Sequence, residues 1–336
     1  MSDIPKFWRK RTLLSYLLLP LSWLYFFITK IRYRHRKIGT IDGISVIIVG
    51  NLTVGGNGKT PVVIALAKAM TNHQIKVGII SRGYGGKLIS EQLLTTESSA
   101  DIVGDEPLLI FQETGVPVAV GRNRLAALRL VKKHHPDIQW IISDDGLQHY
   151  RLPRLKEWIV IAPDLVFGNE LLLPAGPLRE SIKRLNTADA IIFTGNPTQY
   201  LPTKVPQYTL TMKTSGFVNL EGKTVELEPP FYALTAIARP ERFFQTLTRL
   251  GYTPTAYQSF PDHAPLPSTV AQFAVNGSIV MTMKDAVKIT SWPTELKSKV
   301  VILRYETTLL PELLDNILNS SFKDNSGPKK CIRQKK

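Results

Sequence analysis

The chain has 336 residues, 43% of them hydrophobic and 21% charged, with a net charge of +15. That mix is too apolar for a disordered protein and long enough for about two domains of roughly 150 residues each. A single cysteine, Cys331, excludes a disulfide framework and any Cys-based zinc site, and the six histidines lack metal-ligand spacing.

The positive charge sits at the ends. Residues 1–37 carry nine basic side chains and one acid, and the tail 323–336 carries six and one, which leaves the body near +2. A nucleic-acid binder carries its basic stripe on the folded domain, so no nucleic-acid partner is expected, and no obligate protein partner either. Between the amino-terminal basic clusters lies an apolar run, residues 13–28, interrupted by Ser15, Pro20 and Ser22. It lacks the small-residue cleavage site of a signal peptide. It is also shorter than the ~20 apolar residues that cross a bilayer. A helix lying in the membrane interface, with Trp8, Tyr16, Trp23 and Tyr25 at headgroup level, suits the basic flanks best. A spanning helix and a helix packed on its own domain are the alternatives. Basic flanks place the contacted membrane face on the cytoplasmic side.

From residue 44 onward short apolar runs alternate with helical stretches. Residues 44–50, 75–81, 116–120, 140–143, 158–162 and 190–194 read as buried strands, and 61–70, 106–113 and 122–134 as helices. The repetition predicts an α/β chain with a P-loop NTPase-like, doubly wound parallel sheet. A Pro-rich stretch, 196–206, marks a boundary. A second, smaller α/β run follows, with strands at 231–235, 278–282 and 300–304 and a helix at 240–250. The expected organisation is a membrane-associated helix at 1–37, a P-loop kinase domain at 38–200, a linker with extended strands at 201–228, a smaller domain at 229–322 and a disordered basic tail at 323–336.

Chemistry concentrates at predicted strand ends. Thr53-Val54-Gly55-Gly56-Asn57-Gly58-Lys59-Thr60 lies between a strand and a helix, the setting a nucleotide phosphate loop requires. Its glycines let backbone N–H groups curl round an anion at a helix amino terminus. Lys59 would reach the β- and γ-phosphates of ATP and Thr60 would ligate Mg²⁺. The motif departs from G-x-x-x-x-G-K-[ST] at its first position, where Thr53 replaces Gly. Downstream, an apolar strand ends in Asp144 and Asp145, where phosphate-loop enzymes hold the metal; Glu106 is a further candidate ligand. Arg82, Arg122, Arg124, Gln148, His149 and Arg179 lie in polar clusters at strand ends and helix starts and are candidates for substrate binding. By composition alone Asp105 reads as a helix cap and His263 as a structural loop histidine. Lys284 and Asp285 follow a strand and could reach an interdomain cleft.

In order along the chain stand VGNLTVGGNGKTP, SRGYGG, GDEP, DDGLQHYRL, LPAGPLRE, IARPERF, FPDH and KDAVK. Taken together these motifs resemble the tetraacyldisaccharide 4′-kinases (lipid A 4′-kinases) of Gram-negative bacteria, over roughly residues 10–320. The resemblance implies transfer of the ATP γ-phosphate to the 4′-hydroxyl of a tetraacylated glucosamine disaccharide 1-phosphate lipid, giving lipid IVA. It also implies attachment to the anionic cytoplasmic face of the inner membrane, peripherally or by a single amino-terminal helix. It makes Asp105 and His263 a catalytic pair on the sugar hydroxyl, with Asp105 as proton acceptor and Lys59 neutralising charge. Because the pair is divided between the predicted domains, a cleft must close to assemble it. Met283 stands where the family usually carries Glu before KDA. A regulatory ATPase is the main alternative, but such proteins often carry Lys where this chain has Val54. A membrane-docking module is the third reading, and it leaves the phosphate loop without a purpose.

Overall fold

The computed structural model describes residues 5–163, 167–272, 274 and 276–321; the basic tail and Cys331 lie outside the described residues. The chain opens with helices α1 (Lys6–Arg9), α2 (Leu13–Leu17) and α3 (Leu19–Arg34). The first lobe then runs β1 (Ser45–Gly50), α4 (Lys59–Asn72), β2 (Val77–Ser81), β3 (Gln92–Leu93), α5 (Ala100–Val103) and α6 (Asp105–Thr114). It continues through β4 (Val118–Val120), α7 (Arg124–His134), β5 (Trp140–Asp144), β6 (Lys156–Ile161), β7 (Ala190–Phe193) and β8 (Gln207–Thr209). These strands form one sheet in the order β3-β4-β2-β5-β1-β6-β7-β8, parallel except for β3. Near-continuous apolar strands make this possible: Val46, Ile47, Ile48 and Val49 are all buried because helices cover both faces. Helix α4 buries Val62, Val63, Leu66, Ala67 and Met70 on one of those faces, each large side chain contributing about 1.5–3 kcal/mol.

The second lobe comprises β9 (Thr211–Val218), β10 (Thr224–Val225), β11 (Phe231–Thr235), α8 (Pro240–Arg249), β12 (Ala256–Ser259) and β13 (Ser278–Thr282). It ends with α9 (Met283–Ala286), α10 (Thr294–Ser298) and β14 (Val300–Thr308) before a last helix, α11 (Pro311–Ser321). Its sheet order is β10-β9-β14-β13-β11-β12, with β9 antiparallel to β14 and β10.

Two findings refine the expected segmentation. The stretch read as a linker divides between the lobes: β8 pairs with β7 in the first sheet, while β9 and β10 belong to the second. Helix α11, expected in the smaller domain, packs Leu313, Leu314 and Ile317 into the core that contains α4. An apolar helix face in the sequence shows that a core exists to receive it, and not which one.

Helices α2 and α3 dock in an inverted manner. Their buried side is polar: Ser15 and Ser22 are buried, and the Ser22 hydroxyl donates to the Leu172 carbonyl at 2.9 Å. The Tyr25 hydroxyl donates to the Arg179 carbonyl at 3.0 Å. Facing outward are Leu13, Leu17, Leu21, Trp23, Leu24, Phe27, Ile28 and Ile31. Among the described residues no helix is long and apolar enough to cross a membrane.

Candidate active site

The phosphate loop leaves the carboxyl end of β1, a central strand, and enters α4 through Gly58, whose φ of 73° is left-handed. Glycine takes that conformation at little steric cost. Thr53, the departure from the usual motif, is buried and its hydroxyl accepts from Asn57 Nδ2 at 2.9 Å, closing the loop across its own base. The Thr194 hydroxyl at the end of β7 donates to the Asn57 carbonyl at 3.0 Å. Residues 54–60 line a cavity of about 1540 Å³ between the lobes. Lys59 Nζ donates to Asn51 Oδ1 at 3.1 Å and lies 3.5 Å from Asp145.

Strand β5 runs beside β1, so the carboxylates at its tip stand next to that loop. Arg179 Nη1 contacts both Asp145 oxygens at 3.1 and 3.0 Å. Burial would raise the Asp145 pKa, but Lys59 and Arg179 outweigh it and hold the carboxyl well below the usual range. Asp144 behaves oppositely. Burial, with Glu106 and Asp145 nearby, pushes it up to about 6. One Asp144 oxygen accepts from Ser81 Oγ at 2.8 Å, and the other is buried with no partner.

That orphaned oxygen, with the Thr60 hydroxyl and Glu106 on the same cavity wall, is a hard-oxygen donor set that fits Mg²⁺. The described residues hold no group of three His, Cys, Asp or Glu side chains that could cage a metal by themselves. The fit is therefore to an ion that keeps water and phosphate oxygens as its remaining ligands.

Across the cavity, Asp105 opens α6 and meets His263 from the second lobe: Nδ1 lies 2.8 Å from Oδ1 and 3.0 Å from Oδ2. The sequence separation is 158 residues. Asp105 is 5% exposed and sits behind the imidazole, whereas His263 lines the cavity. Burial would raise the Asp105 pKa, but the His263 hydrogen bond and the charges of Lys284, His263 and Lys288 outweigh it and lower the value. Lys284 Nζ bridges Glu106 at 3.1 Å and Asp262 at 3.2 Å; although burial acts to lower its pKa, those carboxylates and Asp105 raise it. Met283 packs partly buried against the second lobe's core, so an apolar residue there is accommodated by packing.

Glycines let the pair form. Gly104 has φ 89° and ψ 150°, and a Cβ there would lie 2.6 Å from the Tyr84 carbonyl oxygen. The SRGYGG and GDEP loops abut backbone to backbone at this point, and Tyr84 then packs edge-on to His263 with ring centroids 5.3 Å apart. Gly104→Ala is expected to destabilise the chain by about 1–3 kcal/mol or more, since only glycine occupies that backbone region readily. A thermal melt matching the unsubstituted protein's would refute this account of the contact.

The substrate candidates divide. Arg82, Arg124 and Arg179 line the cavity. Arg124 is 2% exposed; its Nη2 donates to the Asp144 carbonyl at 2.8 Å, and its Nε and Nη1 are buried without partners. Burial first, then neighbouring charges, brings its pKa to about 10. Three candidates are placed elsewhere. Arg122 is exposed and is not part of the cavity lining. Gln148 is spent within the protein, accepting from Arg179 and donating to Glu180, both at 3.0 Å. His149 is also off the lining, and burial followed by the charge of Arg124 lowers its pKa to about 4. Asn51 and Lys288 lie inside the VGNLTVGGNGKTP and KDAVK motifs but are not among the site residues expected from the sequence, yet Asn51 holds Lys59 and Arg179, and Lys288 Nζ lies 3.6 Å from Asp105.

A glycine-rich loop of this kind, at a helix amino terminus beside carboxylates, suits the phosphates of a nucleotide. The class is that of a P-loop phosphotransferase. A family model described as tetraacyldisaccharide-1-P 4′-kinase matches residues 14–323, and the chain belongs to that family. It is 44% identical over 327 residues to the tetraacyldisaccharide 4′-kinase of Dichelobacter nodosus, covering 95% of this chain and 98% of that one. Identity to the Pasteurella multocida protein of the same name is 42% over 296 residues, covering 85% and 90%. The fold is similar to the crystal structure of the "apo" form of LpxK from Aquifex aeolicus in complex with ATP. The TM-score is 0.76 at 28% identity, covering 92% of this chain and 99% of that one.

Proposed function

We propose that this chain transfers the γ-phosphate of ATP to the 4′-hydroxyl of tetraacyldisaccharide 1-phosphate, giving the 4′-phosphorylated lipid of lipid A assembly. The observation that carries the reading is His263, backed by Asp105, in the lining of the cavity that residues 54–60 also line. Backbone N–H groups of residues 54–60 and the Lys59 ammonium receive the triphosphate. The two free nitrogens of Arg124 are available to an anion in the cavity. Mg²⁺ bound by Thr60, Asp144 and Glu106 would neutralise charge on the β- and γ-phosphates.

Burial supports a division of roles in which His263 takes the proton, where the sequence expectation gave it to Asp105. With Nδ1 donating to buried Asp105, the nitrogen left to take the hydroxyl proton is Nε2, 3.5 Å from the cavity-lining Asp262. Asp105, kept ionised, orients the ring and stabilises the cation that forms. Incubation with labelled ATP and the acylated disaccharide tests the whole reading. Label on the lipid supports it, whereas release of free phosphate alone would make the chain a regulatory ATPase.

The membrane surface is the second substrate's home, and the inverted helix pair is suited to reach it. A contiguous outward face of Leu, Ile, Trp and Phe marks a contact surface, and basic residues at both ends favour the anionic cytoplasmic leaflet. Trp23 and Phe27 are 63% and 58% exposed. Burying each ring in the interface contributes about 1.5–3 kcal/mol. Trp23→Asp with Phe27→Asp is expected to weaken sedimentation with anionic vesicles by about 100-fold or more while leaving ATP binding unchanged. Undiminished vesicle binding would assign the face another role.

A further inference from the structure

Asp285 is fully buried in the second lobe and saturated with donors. Its Oδ2 accepts from the hydroxyls of Thr235 at 2.6 Å and Thr282 at 2.7 Å, and its Oδ1 accepts from the Ala236 N–H at 2.9 Å. The remaining approach belongs to Lys288, whose Nζ lies 3.4 Å from Oδ1 and donates to the Ala236 carbonyl at 2.9 Å. From that anchorage the same ammonium reaches across the lobe boundary to within 3.6 Å of Asp105 Oδ2. The three side chains are 0%, 5% and 5% exposed for Asp285, Lys288 and Asp105.

Burying an ammonium costs several kcal/mol unless it is paired and hydrogen-bonded. The second lobe supplies one carboxylate and one carbonyl, and Asp105 of the first lobe completes the shell. Lys284 is placed differently: it lines the cavity and is shared among Glu106, Asp262 and Asp105. Lys288 is absent from the cavity lining and touches the pair only from behind.

We propose that Lys288, held by Asp285, is a positioning residue for phosphoryl transfer: it fixes Asp105 Oδ2 so that the carboxylate meets His263 Nδ1 when the lobes are together. The proposal rests on the kinase reading above. It makes the strand ends of β11 and β13 part of the catalytic support, since Thr235 and Thr282 position Asp285. Its physical basis is geometric. A carboxylate with one oxygen pinned by a buried cation loses rotational freedom about χ2, and misplacement of a catalytic group by about 1 Å can cost roughly 100-fold in rate.

Lys288→Met keeps the stem and removes the charge. On the acylated disaccharide its kcat is expected to fall by about tenfold to 100-fold, with the Kd for ATP within about twofold of the parent. A purely structural role would also produce a loss, so the deciding measurement is the same substitution in a His263→Ala background. Residues that act as one unit are not additive, and there the further loss is expected to shrink to about threefold or less. Thr235→Val removes one donor from Asp285 without changing charge; it is expected to give a smaller loss with the same dependence on His263, and it serves if the Lys288 variant folds poorly. Parent-like kcat in Lys288→Met, or an equal factor in both backgrounds, overturns the proposal. In either case a parent protein that labels the lipid leaves the kinase reading standing, whereas a parent that labels none defeats both.

Discussion

His263→Ala is expected to lower kcat for lipid phosphorylation by about 10²–10⁴-fold, the range over which a positioned acid–base group acts. The Kd for ATP should be unchanged, because the His263 ring is held by Asp105 and Asp262. Asp105→Asn removes the acceptor that orients Nδ1 and is expected to produce a loss of the same order. The double variant should be little worse than either single one, since the two residues act through one hydrogen-bonded pair. Steady-state kinetics with the acylated disaccharide and ATP calorimetry separate the outcomes. Turnover near the parent value in both single variants would remove the pair from the mechanism. The link also carries a pH sign. The Asp105 carboxyl is held below its ordinary 3.8, so its stabilising contribution is present above that value and fades as the pH falls through the lowered one.

Lys59→Ala is expected to reduce kcat by about 10²–10³-fold, the cost of losing one preorganised group that meets developing charge. Unlike His263→Ala, it should also weaken ATP binding, because the ammonium faces the ground-state phosphates as well. A secondary effect follows from its surroundings. Asn51 and Asp145 lie 3.1 and 3.5 Å from Nζ, and removing the cation leaves Asp145 to Arg179 and, more weakly, Arg124. The Asp145 pKa should therefore rise toward the ordinary carboxylate range. Parent-like ATP affinity and turnover in Lys59→Ala would dismiss the loop as the nucleotide site.

Much of the first lobe was legible in the chain because a parallel sheet buried on both faces requires continuous apolar strands, and residues 44–50, 140–143 and 190–194 are such runs. The glycine-rich loop was legible because its setting is local: residues 53–60 follow β1 and lead into α4. Residues 122 and 124 illustrate the opposite limit. Arg124 is the first residue of α7 and Arg122 lies just before it, and nothing in their spacing says that Arg124 turns inward to the Asp144 carbonyl while Arg122 faces out. Gln148 and His149 share the polar stretch after β5, but Gln148 is consumed by Arg179 and Glu180.

By itself the sequence determined the class of chemistry, the glycine-rich loop between a strand and a helix, and the charged, apolar amino terminus. Those features depend on neighbours within a few residues, where propensity and spacing act directly. The tertiary structure decided which carboxylate keeps a free oxygen, that Asp105 lies behind His263, and that α2 and α3 dock by their polar side. Each of these depends on burial and on partners 34 to 158 residues away, and desolvation acts only once the chain has closed around the group.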